Sequence, residues 1–202
     1  MATSASGIVG HADCTLGDPI NEVLEALIAA GGGRFRGIRH HAAYDADVNV
    51  LGPIAYKEPG LYVSDAFRAG FRHLADYDLS FDAMLVEPQL PDLIDLARRF
   101  PNIPIILNHV GAPLGLASYE GRREERFPVW LTNIKELAKS PNVSVKLGGL
   151  ANPALHVRKQ LPDGRKLRLR RVVERLQGVR QGLLPRREDR PLQRHGGQGP
   201  IA

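Results

Sequence analysis

The sequence predicts an α/β fold in which helices cover a parallel β-sheet. Along residues 1–154, short β-type runs alternate with longer stretches whose apolar residues recur at helical spacing, and this alternation is typical of parallel sheets. The run IPIILN at residues 103–108 is almost wholly apolar, as expected of a strand that is buried on both faces. Five segments have strand character, at residues 7–12, 35–39, 81–86, 103–108 and 143–147.

Helices are predicted in the gaps between these strands. Ser64 is a suitable N-cap, and Pro91 suits a first turn. The three glycines Gly31, Gly32 and Gly33 follow an apolar stripe, where a left-handed cap costs little. The four helices are expected at residues 21–30, from Ser64 to about residue 76, from Pro91 to residue 100, and at about residues 128–139.

Charge and aromatic residues divide the chain in two. Residues 155–202 hold eleven Arg and two Lys against two Asp and two Glu, a net charge of +9, whereas residues 1–154 carry a net charge of −4. All twelve aromatic residues lie before residue 155. We therefore expect one folded domain at residues 1–154 and a basic, disordered tail at residues 155–202.

Polar side chains follow three of the predicted strands. Arg39, His40 and His41 follow the second, Glu87 the third and His109 the fourth, and long connections at residues 42–60 and 111–127 come after the second and fourth. Because the carboxyl ends of parallel strands form one edge of a sheet, we expect a functional site there.

Several consecutive segments resemble the amidohydrolase-related family. They are RFRGIRH, FDAMLVEPQLPDL, RFPNIPIILNHVGAPLG and SPNVSVKLGGL, within roughly residues 7–153. The resemblance implies a (β/α)₈ TIM barrel, of which about five of the eight strands are present. It also implies a hydrolase acting on a small carboxylated ring compound, a lactone or an amide. A chain with five strands is expected to be weakly active or inactive, and to self-associate through its unpaired sheet edges.

The resemblance assigns two roles by position. His109 matches the family histidine that orients or deprotonates the attacking water, a task that suits an imidazole near neutral pH; the alternative is a histidine hydrogen-bonded at the barrel rim. Arg39 matches the arginine that receives a substrate carboxylate. Its alternative is a salt bridge with a loop carboxylate such as Asp45 or Asp47.

Further candidates are less specific. His40 and His41 are adjacent, so at most one points into a pocket, and we expect one inward and one solvated. His11 and Asp13 could face the same pocket and contact substrate, or Asp13 could be paired near the strand end. Lys146 ends the last predicted strand, and an ion pair in the barrel interior is expected for it.

Metal binding is left open by the sequence. Glu87 stands where several relatives have a metal-binding histidine, so it could ligate a divalent cation such as zinc; the alternative is a solvated or ion-paired glutamate. The His-x-His pair and terminal aspartate of the family do not occur here.

Two interpretations fit the tail at residues 155–202. Its Arg, Leu, Gln, Gly and Pro bias is typical of a frameshift after about residue 154 in a GC-rich gene. The alternative is a true basic tail, helical from residue 165 to 177, which would make the chain a non-catalytic protein that binds nucleic acid or an acidic partner. We favour a small-molecule substrate over nucleic acid, and a cytoplasmic location, since one cysteine and no leader-like segment argue against secretion or membrane insertion.

Overall fold

The computed structural model describes residues 7–148, and a single five-stranded sheet organises them. All neighbouring strands are parallel and follow one another in chain order, so each connection crosses over the same sheet. This confirms the predicted α/β fold and all five strands. The strands are β1 (Ile8–His11), β2 (Phe35–His41), β3 (Ser80–Met84), β4 (Ile105–Leu107) and β5 (Val143–Val145).

Five α-helices lie between the strands: α1 (Ile20–Ala30), α2 (Val48–Leu51), α3 (Asp65–Phe71), α4 (Leu90–Arg99) and α5 (Arg123–Leu137). Ser64 caps α3 as predicted, because its side chain accepts a hydrogen bond from the Phe67 amide. A 3₁₀ turn at Arg72–Ala75 continues α3. The last helix begins five residues before the predicted start, with Pro128 inside it. Proline has no N–H, so one backbone hydrogen bond of the helix is missing at this position. The loss falls close to the helix start, where the first amides have no partner within any helix.

Aromatic side chains fill the core between the sheet and α3. The ring of Phe81 on β3 lies 5.8 Å from that of Phe67 and 5.0 Å from that of Phe71, centroid to centroid. All three rings are fully buried. The face of the sheet that carries Phe81, which we call the outer face, is therefore covered by helices.

The opposite face, here the inner face, is polar and accessible. His11 pairs with Arg39 across β1 and β2, and Arg39 pairs with Asp82 across β2 and β3, so the three side chains share this face. Val9 on the same face is 43% exposed. The alternation of the strands thus separates an apolar helical layer from a polar surface.

The two long loops predicted from the sequence form a small second core. Ala43, Val50 and Leu51 follow β2, and they pack with Val86 and with two residues that follow β4, Ala112 and Leu114. Hydrogen bonds also join the loops, from the Tyr119 hydroxyl to Asp45 (2.6 Å) and from the Ser118 amide to Asp47 (3.1 Å). This loop cluster stands beyond the carboxyl end of β3.

Within residues 7–148, no helix has the length and apolar character needed to cross a membrane. The predicted basic tail at residues 155–202, its helix at 165–177 and the frameshift interpretation lie outside the described residues. They stay predictions.

Replacing Gly70 by Ala tests how closely α3 packs on the turn that follows β1. An alanine Cβ at Gly70 would lie 2.1 Å from the carbonyl oxygen of Cys14. A glycine-to-alanine change inside a helix normally stabilises a protein by about 0.5–1 kcal/mol. We expect Gly70→Ala to lower the free energy of unfolding instead, by about 1–3 kcal/mol, because backbone must move. Urea denaturation followed by circular dichroism measures this; unchanged or higher stability would show that the contact is looser than described.

Candidate active site

His109 lies in a turn of unusual backbone conformation directly after β4. Four successive residues have left-handed dihedral angles: His109 (φ 52°), Val110 (φ 51°), Gly111 (φ 76°) and Ala112 (φ 41°). Glycine adopts this region freely, but a β-branched residue such as valine rarely does. The turn is therefore strained, and strained backbone is concentrated at functional positions.

Three neighbouring elements hold this turn in place. The indole N–H of Trp130 on α5 donates to the Val110 carbonyl (2.9 Å), and the Val110 amide donates to the carbonyl of Lys146 after β5 (3.3 Å). The side-chain amide of Asn108 donates to the Ala83 carbonyl on β3 (3.1 Å). His109 is thus positioned by anchors on both neighbouring strands and on the helix behind them.

The His109 ring has a free hydrogen-bonding atom. Its Nδ1 is buried and has no hydrogen-bond partner among residues 7–148. A Cβ built at Gly148 would lie 3.7 Å from this nitrogen, an ordinary van der Waals distance. The rim hydrogen bond proposed as the alternative for His109 is not made at Nδ1 by the described residues.

Arg39 forms an ion pair, but not with the partner that the sequence suggested. Its Nη2 lies 3.0 Å from Oδ2 of Asp82 on β3, and Nζ of Lys146 lies 2.5 Å from the same oxygen. Neither Asp45 nor Asp47 takes part, because those carboxylates are engaged within the loop cluster. The interior ion pair expected for Lys146 is present.

His11 lies next to this group on the inner face. Its Nδ1 donates to the backbone carbonyl of Arg39 (2.9 Å), and its side chain is exposed. Nε2 of a neutral His11 is then left as an acceptor. Asp13 does not join the group, because its carboxylate caps the following turn by accepting from the Thr15 amide and hydroxyl.

His40 lies on the outer face, away from Arg39. It is 5% exposed, contacts the rings of Tyr56 and Phe67, and accepts a hydrogen bond at Nδ1 from the Cys14 amide (3.2 Å). The expectation of a solvated histidine is wrong here, since helix α3 covers that side of the strand. His41 is the half-buried neighbour on the other face. The predicted role of His40 in substrate binding gains no support from this position.

Glu87 is buried and ion-paired. An ion-paired glutamate was the alternative to a metal ligand in the sequence analysis. Its Oε1 lies 2.8 Å from Nε of Arg126, and its side chain is 2% exposed. Burial raises the pKa of its carboxyl group, and the hydrogen bond and charge of Arg126 oppose the shift. Arg126 therefore already occupies one oxygen of this carboxylate.

The donor set does not fit a metal ion in the part of the chain from residue 7 to 148. No three His, Cys, Asp or Glu side chains come together there as a metal site requires. We therefore derive no chemical step through a metal, and metal binding by Glu87 stays a prediction.

Asp82 is the site residue that sequence reasoning missed. It is the second residue of FDAMLV, an otherwise apolar run that predicts a strand, and it is 1% exposed. The available signal was a charged residue inside a buried strand, because such a residue needs a partner of opposite charge. Both partners are distant in sequence, so the pairing itself could not be read from it.

Known proteins resemble this chain over most of its length. The amidohydrolase family model matches residues 2–177. An uncharacterized protein of Sinorhizobium fredii is 36% identical over 149 residues, which cover 71% of this chain and 44% of that protein. An L-fucono-1,5-lactonase of Burkholderia multivorans is 32% identical over 134 residues, 66% of this chain and 41% of the lactonase. The chain therefore spans less than half the length of these curated relatives.

Solved structures of amidohydrolases also resemble this chain. A crystal structure of an amidohydrolase from Burkholderia multivorans with bound HEPES superposes with a TM-score of 0.60 at 26% identity, over 86% of this chain and 54% of that one. A second crystal form with bound zinc gives a TM-score of 0.55 at 28% identity, over 72% of this chain and 44% of that one.

Replacing Trp130 by Phe tests the anchor of the His109 turn. Phenylalanine keeps most of the packing but leaves the buried Val110 carbonyl without its donor. We expect the free energy of unfolding to fall by about 1–3 kcal/mol. Because Trp130 is the only tryptophan, unfolding should be followed by circular dichroism. Tyr77→Phe is the control, since it removes one exposed hydrogen bond to Glu25. An equal fall in the free energy of unfolding in both variants would contradict the role of Trp130 as an anchor of the turn.

His40 should make stability depend on pH. Burial lowers its pKa from the ordinary value of 6.5, while the charge of Asp13 opposes the shift. As the pH falls, His40 therefore binds a proton in the unfolded chain before it does so in the folded chain. Its contribution to the free energy of unfolding is complete above pH 6.5 and is lost as the pH falls from 6.5 towards the lowered pKa. One such group contributes at most about 1.4 kcal/mol per pH unit.

We expect His40→Asn, which lacks the titrating group, to lose less unfolding free energy than the wild type between pH 7.5 and 5.5. A smaller dependence should remain, since burial also lowers the pKa of His41. Urea titrations at both pH values measure the difference. Identical pH dependence in the two proteins would mean that His40 does not couple protonation to folding.

Proposed function

Because this chain belongs to the amidohydrolase family, we propose that its site performs the ring opening of a lactone by hydrolysis, with His109 as the base. The observation that carries the proposal is the held, strained turn that presents His109 after β4, with Nδ1 unpartnered among residues 7–148. The similarity to an L-fucono-1,5-lactonase supports a lactone over the other ring compounds considered. The sheet topology of a TIM barrel, whose active sites lie at the carboxyl ends of the strands, supports this placement.

His109 would first accept a proton and later return it. It takes a proton from the water that adds to the lactone carbonyl carbon, which leaves a tetrahedral oxyanion and an imidazolium. When the ring carbon–oxygen bond breaks, the imidazolium returns the proton to the leaving alkoxide. The product is an open-chain hydroxy acid, which ionises near neutral pH and releases one proton to solution.

Arg39 would stabilise the negative charge that develops during this reaction. Its side chain is 45% exposed on the inner face, and one nitrogen already holds Asp82. Its remaining N–H groups can donate to a carboxylate or an oxyanion. His11, the adjacent exposed ring on that face, offers a further donor or acceptor to the hydroxyl groups of a substrate.

His109→Asn tests the proposal without adding backbone strain. Asparagine tolerates the left-handed conformation that His109 adopts, but its side chain cannot serve as a base. We expect the full 202-residue chain to hydrolyse L-fucono-1,5-lactone or a similar sugar lactone slowly, and the variant to fall by about 10²–10⁴ or to the buffer rate. A pH-indicator assay of acid release measures both.

The matched control is His73→Asn, which removes a histidine that pairs with Asp18 and Asp76 in a turn after α3. This variant should keep the wild-type rate. Lactone hydrolysis that His109→Asn leaves unchanged would refute the role of His109. No hydrolysis of any sugar lactone by the wild-type chain would count against the proposed reaction.

A further inference from the structure

Helix α5 is the last helix of the described residues, and α4 packs against one of its sides. On that side, Arg126 pairs with Glu87 just before α4, and Glu136 pairs with Arg98 at the end of α4. The opposite flank of α5, beyond its buried row, carries a second line of side chains, since spacings of three and four positions place residues along one side of a helix. We call this line the α5 stripe, and it consists of Glu124, Phe127, Leu131 and Lys135.

The α5 stripe is apolar at its centre and oppositely charged at its two ends. Phe127 and Leu131 are half-buried and pack against the core, whereas Glu124 and Lys135 are exposed. The ion pairs that α5 makes within residues 7–148 involve neither of these two charges. Eleven positions separate them, which is about 16 Å along a helix. The stripe therefore offers an apolar contact between an anion at one end and a cation at the other.

Strand β5 extends this surface. It pairs with β4 on one side, and no strand within residues 7–148 pairs with its other side. Val143 and Val145 are half-buried, and Leu147, two residues beyond the strand, is 48% exposed. An open strand edge with apolar side chains beside it is a place where chains associate.

The order of the charges along the α5 stripe selects the partner. A matching surface must present a cation opposite Glu124, an anion opposite Lys135 and apolar side chains between them. The same stripe turned end for end meets this requirement. An antiparallel pair of α5 helices centred between residues 129 and 130 places Glu124 of each copy opposite Lys135 of the other. Phe127 and Leu131 are centred on nearly the same level, residue 129, so they also face each other.

The other end of the sheet lacks this complementarity. Helix α1, which connects β1 to β2, carries Glu22 and Glu25 and no Lys or Arg. Two copies that met along α1 would oppose like charges, and an α5 stripe placed against α1 would have Glu124 facing carboxylates. Self-association through an unpaired edge, which the sequence led us to expect, is therefore favoured at β5 over β1.

We propose that two copies of this chain form a closed dimer through the α5 stripe and the adjoining edge of β5. The two-fold axis crosses the stripe between Phe127 and Leu131, so each copy contributes the same residues. One helix flank and one short strand from each copy make a small contact. We therefore expect a reversible dimer with a Kd on the order of 10 µM. The dimer does not depend on the proposed hydrolysis.

Sedimentation velocity of the full 202-residue chain, at concentrations from about 1 to 200 µM, tests the proposal. We expect monomer and dimer in an equilibrium that shifts towards dimer with concentration, without larger species. Lys135→Glu and Glu124→Lys should each weaken dimerisation about tenfold, because each places like charges opposite one another at both ends of the contact. The double variant that combines them restores opposite charges in every pair, so it should dimerise as the wild type does.

Two matched variants control for net charge. Lys57→Glu and Glu58→Lys make the same changes at exposed positions of the loop that follows β2, and both should dimerise as the wild type does. Leu131→Glu places a charge at the apolar centre of the stripe and should leave a monomer at every concentration. Circular dichroism checks that each variant is folded; the charge variants test the proposal even where Leu131→Glu fails to fold.

The outcomes separate this interface from other arrangements. A wild-type chain that stays monomeric throughout would overturn the proposal and mean that another segment or another partner covers the stripe. Species that grow steadily with concentration would indicate head-to-tail pairing of β5 with β1, which also overturns it. A dimer that neither single charge reversal weakens would have its contact elsewhere. Weakening in each single variant with recovery in the double variant would support the α5 stripe.

Discussion

The parallel register of the five strands determines which side chains can meet. Residues alternate between two faces, so Arg39 and Asp82 go to the inner face while Phe81 and His40 go to the outer one. A slip of one residue would exchange the faces. The packing of Phe81 against the rings of α3 prevents that slip, because it would place the ring in solvent and the carboxylate under the helix. The polar group therefore depends on apolar contacts made on the other side of the sheet.

The turn after β4 shows how the fold retains an unfavourable conformation. Left-handed backbone costs roughly 1–2 kcal/mol for each residue other than glycine, and three such residues, His109, Val110 and Ala112, lie in this four-residue turn. Three hydrogen bonds offset that cost: Trp130 donates to the Val110 carbonyl, the Val110 amide donates to the Lys146 carbonyl, and Asn108 donates to the Ala83 carbonyl. Since these contacts come from α5, β5 and β3, the orientation of His109 requires most of the described fold to be in place.

Sequence patterns predicted the elements of this fold better than its contacts. The strands and helices were identifiable because their apolar residues recur with periods that backbone geometry dictates. The helix expected at about residues 128–139 begins at Arg123 instead, so Pro128 lies inside it. For the candidate site, position at or near the end of a predicted strand selected Arg39, His11 and His109, whose roles stay predictions. The ion pair with Asp82 was not predicted, since its members lie 43 and 64 residues apart in sequence. The left-handed turn has no local signature other than Gly111.

The cluster formed by the two long loops has a consequence for how this region evolves and opens. Tyr119 and Ser118 in one loop are bound to Asp45 and Asp47 in the other, so the conformations of the two loops are coupled. Their amides should exchange hydrogen with solvent as one cooperative unit rather than as two separate segments. An insertion in one loop would alter the shape of both. A change of shape at this edge of the sheet would then involve two segments about 70 residues apart.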